Sequence, residues 1–338
     1  MYKQPPRLIV YIPTYNRSKS IKRALECITV ALREVAADFV KVVISNNASE
    51  DDTIEICEKY TNSQIILETN KKNIGAILNI AKGLEINFGQ EYTWIMGDDD
   101  FITPWALSKL FFYISELDKQ KIDIKHICVN HLVVSHEMQS REDVFNLIAE
   151  NKLTGFNWLL NQKFKQPIII PFSEILDPHV DDLILGSITG SVFRTKIIND
   201  AMKEIDYSDV TNPEFNFENL TSRIWFPHAY AFIKSLSAND LCLSIPDVLS
   251  VAAVGHQEWM QDRTKVVAVA AFDSLFECLD RKVISNSEFD DYTKKFFLRH
   301  KHHFSFIVQN NSDLLSERKI KTLLKLYDWF LNNQNKAK

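Results

Sequence analysis

Along the N-terminal third of the chain, short apolar runs alternate with stretches whose apolar residues recur at helical spacing. Leu8-Ile9-Val10-Tyr11-Ile12, Val40-Lys41-Val42-Val43-Ile44, Gln64 to Glu68 and Tyr92 to Met96 read as four buried strands. Between them, Ile21, Ala24, Leu25, Ile28 and Leu32 share one helical face, and Ser18 is its expected cap. Thr53 to Tyr60 keeps helical periodicity, and Ile77, Leu78, Ala81 and Leu84 turn inward from a third helix. Thr103-Pro104 predicts the start of a fourth, with Thr as N-cap and Pro at the first helical position. Strands alternating with helices imply an α/β fold with a mainly parallel, twisted sheet and right-handed crossovers.

Beyond Leu117 the pattern loosens. Ile127 to Val134 predicts a strand, and Arg141 to Leu160 a helix interrupted near Thr154-Gly155. Gly186 to Arg194 is a Gly-punctuated strand, and Trp225-Phe226-Pro227-His228 opens an apolar helix. Leu241 to Ile245 and Val248 to Val254 read as two further strands, and from Thr264 onward the chain reads as helices. The pattern divides the chain at about residue 262 into an α/β domain, with halves 1–120 and 121–262, and a C-terminal helical extension, 263–338.

The polar residues add the chemistry. Each early strand ends in a polar cluster: Pro13-Thr14-Tyr15-Asn16-Arg17, then Ser45 to Asp52, then Asn70-Lys71-Lys72-Asn73-Ile74-Gly75, then Gly97-Asp98-Asp99-Asp100. In a parallel sheet these gather at one edge, where open α/β folds bind ligands. Three consecutive carboxylates repel one another unless a cation relieves them. Hard oxygen donors on a short loop suit Mg²⁺ or Mn²⁺ carrying a phosphate-bearing ligand; a solvated acidic turn is the plainer alternative.

Composition narrows the field. With 46% hydrophobic residues and a net charge of −5, the chain suits a globular protein and gives no reason to expect nucleic acid as a partner. Apolar runs such as Val266 to Phe272 are too short to cross a bilayer. The opening residues show no signal-peptide pattern, and five cysteines lie scattered with no CxxC pair, so a reduced, cytoplasmic setting is expected. Only 8 glycines occur, well below the roughly 7% of average usage; Gly75, Gly97, Gly186, Gly190 and Gly255 all fall beside polar clusters.

Taken together, Ile12-Pro13-Thr14-Tyr15-Asn16-Arg17, Ser45-Asn46-Asn47-Ala48-Ser49-Glu50-Asp51-Asp52-Thr53, Asn73-x-Gly75-x-x-x-Asn79 and Gly97-Asp98-Asp99-Asp100 resemble the ordered motifs of family 2 glycosyltransferases of the GT-A fold. The resemblance implies inverting, metal-dependent transfer of a sugar from a nucleotide diphosphate to a hydroxyl of a glycan or lipid-linked glycan, in surface polysaccharide synthesis. It assigns Asp98 and Asp100 to a Mn²⁺ or Mg²⁺ ion, with Asp98 near the ribose and Asp99 orienting its neighbours or touching the sugar. His256, after Gly255, is a further candidate for the cation or the diphosphate. Pro13, Thr14, Tyr15, Asn16, Arg17, Asn46, Ser49, Lys72, Asn73 and Gly75 would line the donor site. Asn46 stands where many members carry an Asp that recognises uracil, so UDP is a preference only.

An inverting transfer needs a general base opposite the leaving group. Family members place it in a Glu-Asp pair after the Gly-containing strand, and no such pair follows here. Glu218 is the first candidate, with Glu214, Asp181, Asp182 and His228 behind it; His228 also reads as a packed core histidine. The basic run Arg299-His300-Lys301-His302-His303 reads as a solvated helix face. With Lys294, Lys295, Arg318, Lys319 and Lys321 it could rest on anionic lipid at the inner face of a cell membrane. The aromatic residues around it suit core or subunit contacts, including a homo-oligomer through the C-terminal helices. The rival readings are a sugar-nucleotide pyrophosphorylase, whose Gly-rich basic loop is missing here, and a nucleotide- or glycan-binding scaffold without turnover.

Overall fold

The computed structural model describes residues 5–135, 145–146, 158–159, 163–180, 185–208, 210, 221–254, 260–310 and 315–334. β1 (Leu8–Thr14), β2 (Val40–Asn46), β3 (Ile65–Thr69) and β4 (Tyr92–Ile95) pair in parallel in the order β3-β2-β1-β4. The sheet continues through β9 (Ser191–Arg194), β6 (His126–Ser135), β10 (Leu241–Val254) and β5 (Asp100–Ile102). β9 runs antiparallel to both of its neighbours, so β6 and β10 regain the direction of β4. Short β7 (Trp158–Leu159) and β8 (Ile168–Pro171) join β6 and β10 antiparallel. This is the expected α/β architecture, with a mostly parallel centre.

Alternation along Leu8 to Ile12 of β1 shows why that stretch is buried throughout. Leu8, Val10 and Ile12 enter one core cluster while Ile9 and Tyr11 enter the other, because successive side chains leave a strand on opposite faces. One face is covered by α1 (Ser18–Leu32), the short α2 (Thr53–Glu58) and α4 (Ala106–Gln120). The other is covered by α3 (Ala76–Glu85) and by the later helices Thr195–Met202, Pro227–Ser235 and Met260–Asp280. Phe296, Phe297 and Phe304 of the helix Asn286–Asn310, and Leu323 and Leu326 of the helix Glu317–Gln334, lie in that same cluster. The C-terminal helices therefore pack continuously with the sheet layer.

Five local expectations are revised. The strand expected over Gly186 to Arg194 is strand only from Ser191, because Ile188–Gly190 forms a 3-10 turn first. The helix after the acidic turn begins at Ala106, not at Thr103-Pro104: Thr103 is fully buried and its amide donates to Leu249 O at 3.0 Å, because Asp100 to Ile102 pair with β10 first. Ser18 is the first helical residue of α1 and Arg17 its cap; the Arg17 and Ser18 amides donate to Thr53 Oγ1 (2.9 Å) and Asp51 (3.2 Å) across the gap between loops. The two strands expected around Pro246 are one, with register shifts between Ile245 and Ser250 that let β10 pass the proline. Trp158 and Leu159, read as the end of a helix, pair with β6 as strand.

Candidate functional site

The carboxyl ends of β1, β2 and β4 bring three polar loops together, as their shared direction requires. The loop after β1 is built on the loop after β2. Asn16 adopts a left-handed conformation (φ 50°), which Asn tolerates. Its amide donates to Ser49 Oγ at 2.9 Å, and its side-chain oxygen accepts from the Glu50 amide at 2.8 Å. Pro13 is half-buried beneath this junction, and Tyr15 stands 37% exposed at its rim.

Asn46 is fully buried and occupied internally: its Oδ1 accepts from the Ser49 amide at 3.1 Å and its Nδ2 donates to Thr69 at 3.4 Å. A chain of amides extends from there. Asn79 Oδ1 accepts from Ser45 Oγ (2.8 Å) and Asn70 Nδ2 (3.0 Å), and its own Nδ2 donates to Ser45 O at 3.0 Å. Asn47 Oδ1 takes the Asn70 amide group and the Ile74 N–H, while its Nδ2 donates to Asn73 Oδ1 at 2.8 Å. Asn73 Oδ1 also accepts from the Gly75 amide, so the side chain is held by its oxygen with its NH₂ turned away from these partners. Gly75 caps α3 at φ 89°, a conformation only glycine adopts without strain. Lys72 beside it is exposed.

The acidic turn lies across the mouth of β1. Thr14 Oγ1 donates to Asp98 Oδ2 at 2.7 Å, and Thr189 donates to Asp100 Oδ2. Asp99 faces the Arg17 guanidinium at 3.6 Å, and its carbonyl accepts from Arg23 at 3.0 Å. Burial first, then the neighbouring Asp99 charge, push Asp98 up to about 7 against the pull of Arg17 and Thr14. The same two causes hold Asp100 well above the usual carboxylate range. A side chain at Gly97 would crowd Asp99 Oδ1 (3.0 Å) and Asp100 Oδ2 (3.1 Å); the absent Cβ lets the carboxylates fold over the turn.

Does this donor set fit a divalent cation? Asp98 and Asp100 are half-buried hard oxygen ligands, each with one oxygen committed to a threonine. No group of three or more His, Cys, Asp or Glu side chains is poised for a metal among the described residues. Two carboxylates plus ligand phosphates and water is how Mg²⁺-type ions are commonly held, so the residues fit an ion that arrives with a diphosphate.

Sequence reasoning missed Arg23 and Thr189. Both act across long separations, 76 and 89 residues from their partners in the turn, and neither sits in a run that marks it. Of the candidate bases and the further metal ligand, Glu218, Glu214, Asp181, Asp182 and His256 lie outside the described residues. His228 is 2% exposed, its Nε2 meets Leu185 O at 2.8 Å, and burial lowers it to about 4. That is a position for packing, not for meeting an acceptor hydroxyl. A cavity of about 620 Å³ beside Gln90, Thr195 and Asn199 lies at the opposite end of β4, away from this chemistry.

The family described as Glycosyl transferase family 2 matches residues 9–170. Chondroitin synthase of Escherichia coli is 32% identical over 166 residues, covering 48% of this chain and 21% of that protein. Abequosyltransferase RfbV of Salmonella typhimurium is 32% identical over 106 residues, 30% of this chain and 31% of its own length. The chain thus spans about a tenth to a half of the curated relatives it matches. Among solved structures, S. aureus TarS 1–349 in complex with UDP-GlcNAc superposes with a TM-score of 0.58 at 17% identity, covering 95% of this chain and 79% of that one. The mannosyltransferase PcManGT from Pyrobaculum calidifontis, in complex with GDP-Man and Mn²⁺, gives 0.50 at 14% identity, covering 97% and 81%. No helix among the described residues is long and apolar enough to cross a membrane.

Proposed function

We propose, from the premise that residues 9–170 are a family 2 glycosyl transferase domain of GT-A fold, that this chain moves a sugar from a nucleotide diphosphate to a glycan or lipid-linked glycan hydroxyl with inversion. The observation that carries the reading is the acidic turn, held by Thr14 and Thr189 beside the loops that follow β1, β2 and β3. Residues 1–120 would bind the donor and 121–262 the acceptor, with 263–338 as the helical layer that completes the fold. The relatives include a chondroitin synthase and a poly(ribitol-phosphate) beta-N-acetylglucosaminyltransferase, which supports polysaccharide synthesis as the setting.

In this reading the base stacks on Tyr15, and the Asn73 NH₂, fixed as a donor by Asn47 and Gly75, meets a base carbonyl. With Asn46 occupied internally, base contact falls to Asn73, whose NH₂ suits a carbonyl of uracil or guanine; UDP stays the preferred donor because the neighbour of the same fold, TarS 1–349, is in complex with UDP-GlcNAc. Arg17 and Lys72 lie close enough to the turn and to the Gly75 loop to carry positive charge toward the diphosphate. Asp98 and Asp100 would hold Mn²⁺ or Mg²⁺, which would supply Lewis-acid neutralisation of the departing diphosphate. Asp99, tied to Arg17 and Arg23, keeps the turn in register. The general base is proposed as Glu218, then Glu214, Asp181 or Asp182, with His256 assisting the diphosphate.

The test is release of sugar from UDP- and GDP-sugars by the pure protein with Mn²⁺. Asp100→Ala should lower that release by at least a hundredfold while leaving the circular-dichroism melt intact. Unchanged turnover in the variant, or no release and no thermal stabilisation by any nucleotide sugar in the parent, would reject the reading.

A further inference from the structure

We infer that Thr189 is a positioning residue for the donor site: it fixes the Asp100 carboxylate and the Gly97 amide in the geometry that a divalent cation and a diphosphate require. The inference rests on the metal-dependent reading above and concerns a residue outside the segment that the family matches, 9–170.

The hydroxyl of Thr189 is used twice. It donates to Asp100 Oδ2 and accepts from the Gly97 N–H at 3.2 Å, so one side chain ties both ends of the acidic turn. Thr189 is itself 1% exposed and is held from three sides. Its carbonyl accepts from Trp94 Nε1 at 2.8 Å, and Trp94 is a fully buried residue of β4, the strand that delivers the turn. The 3-10 turn Ile188–Gly190 around it is closed by Ser187, whose Oγ accepts from the Gly190 amide at 3.2 Å. Ser187 in turn shares a hydrogen bond with His131 Nδ1 of β6 at 2.9 Å, and burial keeps that imidazole neutral. Thr189 is thus a rigid strut from the sheet to the turn.

Without that strut little fixes Asp100. It opens β5, only three residues long and paired at the sheet's outer edge, and its amide bond to Gly97 O is 3.3 Å. A carboxylate with one oxygen committed to a fixed donor presents the other in a defined place; a freely rotating one must be ordered when the ion binds, at a cost in affinity. The role belongs to the hydroxyl, which Ser keeps and Val, of the same shape, lacks.

The experiment measures Mn²⁺ binding by the decrease in the free-ion paramagnetic resonance signal, with Mn²⁺ alone and with Mn²⁺ plus UDP, on the full chain. Thr189→Val should weaken binding about tenfold, the scale of one charge-assisted hydrogen bond, while Thr189→Ser stays within about twofold of the parent. If Thr189→Val does not fold, Thr189→Ala, compared with Ser at matched melting temperature, reads the same difference. Parent-like binding by a folded Val or Ala variant, or an equal loss in Ser, overturns the inference. Asp100→Asn separates the premises. If it abolishes binding while Thr189→Val does not alter it, the metal reading stands and the Thr189 role falls. If the parent binds no Mn²⁺ with or without UDP, both fall.

Discussion

At the scale of single residues, Gly83 in α3 shows how packing can reverse a propensity argument. In an exposed helix, alanine outperforms glycine by about 1 kcal/mol. Here a Cβ on Gly83 would overlap the ring of Tyr11. That ring is fully buried in β1, and its hydroxyl donates to Asn79 O at 3.0 Å, so it cannot swing aside cheaply. Overpacking of this kind costs roughly 1–3 kcal/mol, which exceeds the propensity gain. Gly83→Ala should therefore lower the urea midpoint with an unchanged slope; a variant more stable than the parent would show that the helix can shift outward from the sheet. Gly83 is buried although it lies off the inward stripe of Ile77, Ala81 and Leu84, and only that stripe was readable from spacing. The ring that Gly83 touches was not, because nothing in sequence spacing records which residue of β1 lies opposite.

At the scale of elements, the loops that follow the strands were legible for a definite reason. A strand end, a polar cluster and a helix start are consecutive in the chain, and parallel pairing alone then gathers them. What the spacing does not reveal is how the side chains divide the work. Asn46, a candidate for the base, turns inward to hold its own loop, while Asn47, Asn70 and Asn79, unmarked or marked only as part of a motif, bind the loops after β2 and β3 into one unit. Thr189 and Arg23 reach the acidic turn from distant elements and left no local trace. Removing the hub of the amide chain tests that division. Asn79→Ala leaves the buried Ser45 hydroxyl and carbonyl without that side chain and takes one of the two partners of the Asn70 amide group, with an expected loss of about 1–3 kcal/mol. Because Asn70, which donates to Asn47, then loses its bond to Asn79, the Asn73 turn that Asn47 holds should loosen as well, and UDP affinity measured calorimetrically should fall. A variant that loses stability but binds UDP as the parent does would confine Asn79 to a structural role.

At the scale of the whole molecule, the C-terminal helices answer a question that composition left open. Among the described side chains, most of the basic residues expected to form a solvated face are engaged within the chain. Arg299 donates to Pro178 O at 2.6 Å, Lys301 and Lys294 lie over Phe330 and Trp329, Arg318 pairs with Asp280, and Lys319 with the buried Asp273. Lys295 pairs with Asp291 on its own helix and, at 3.0 Å, with Asp177, which Lys163 also approaches at 3.4 Å. A charge run signals only that the side chains need partners, and here the partners come from the segments the helices cover. Asp177 makes this docking pH-sensitive with a sign that can be worked out. Burial pushes its carboxyl up, but the His179 amide, Lys295 and Lys163 outweigh that and leave it below its ordinary value. A carboxylate depressed in the folded state contributes stability above the unfolded value of about 3.9 and loses it as the pH falls through the folded value. The parent should therefore lose melting temperature more steeply than Asp177→Asn on acidification below about pH 4.5, and the gap between them, widest near neutrality, should narrow toward pH 2. Parallel melting curves across that range would place the contact between the helix Asn286–Asn310 and the 172–180 segment on packing alone, with Phe296 and Phe297 carrying it and the ion pairs adding nothing.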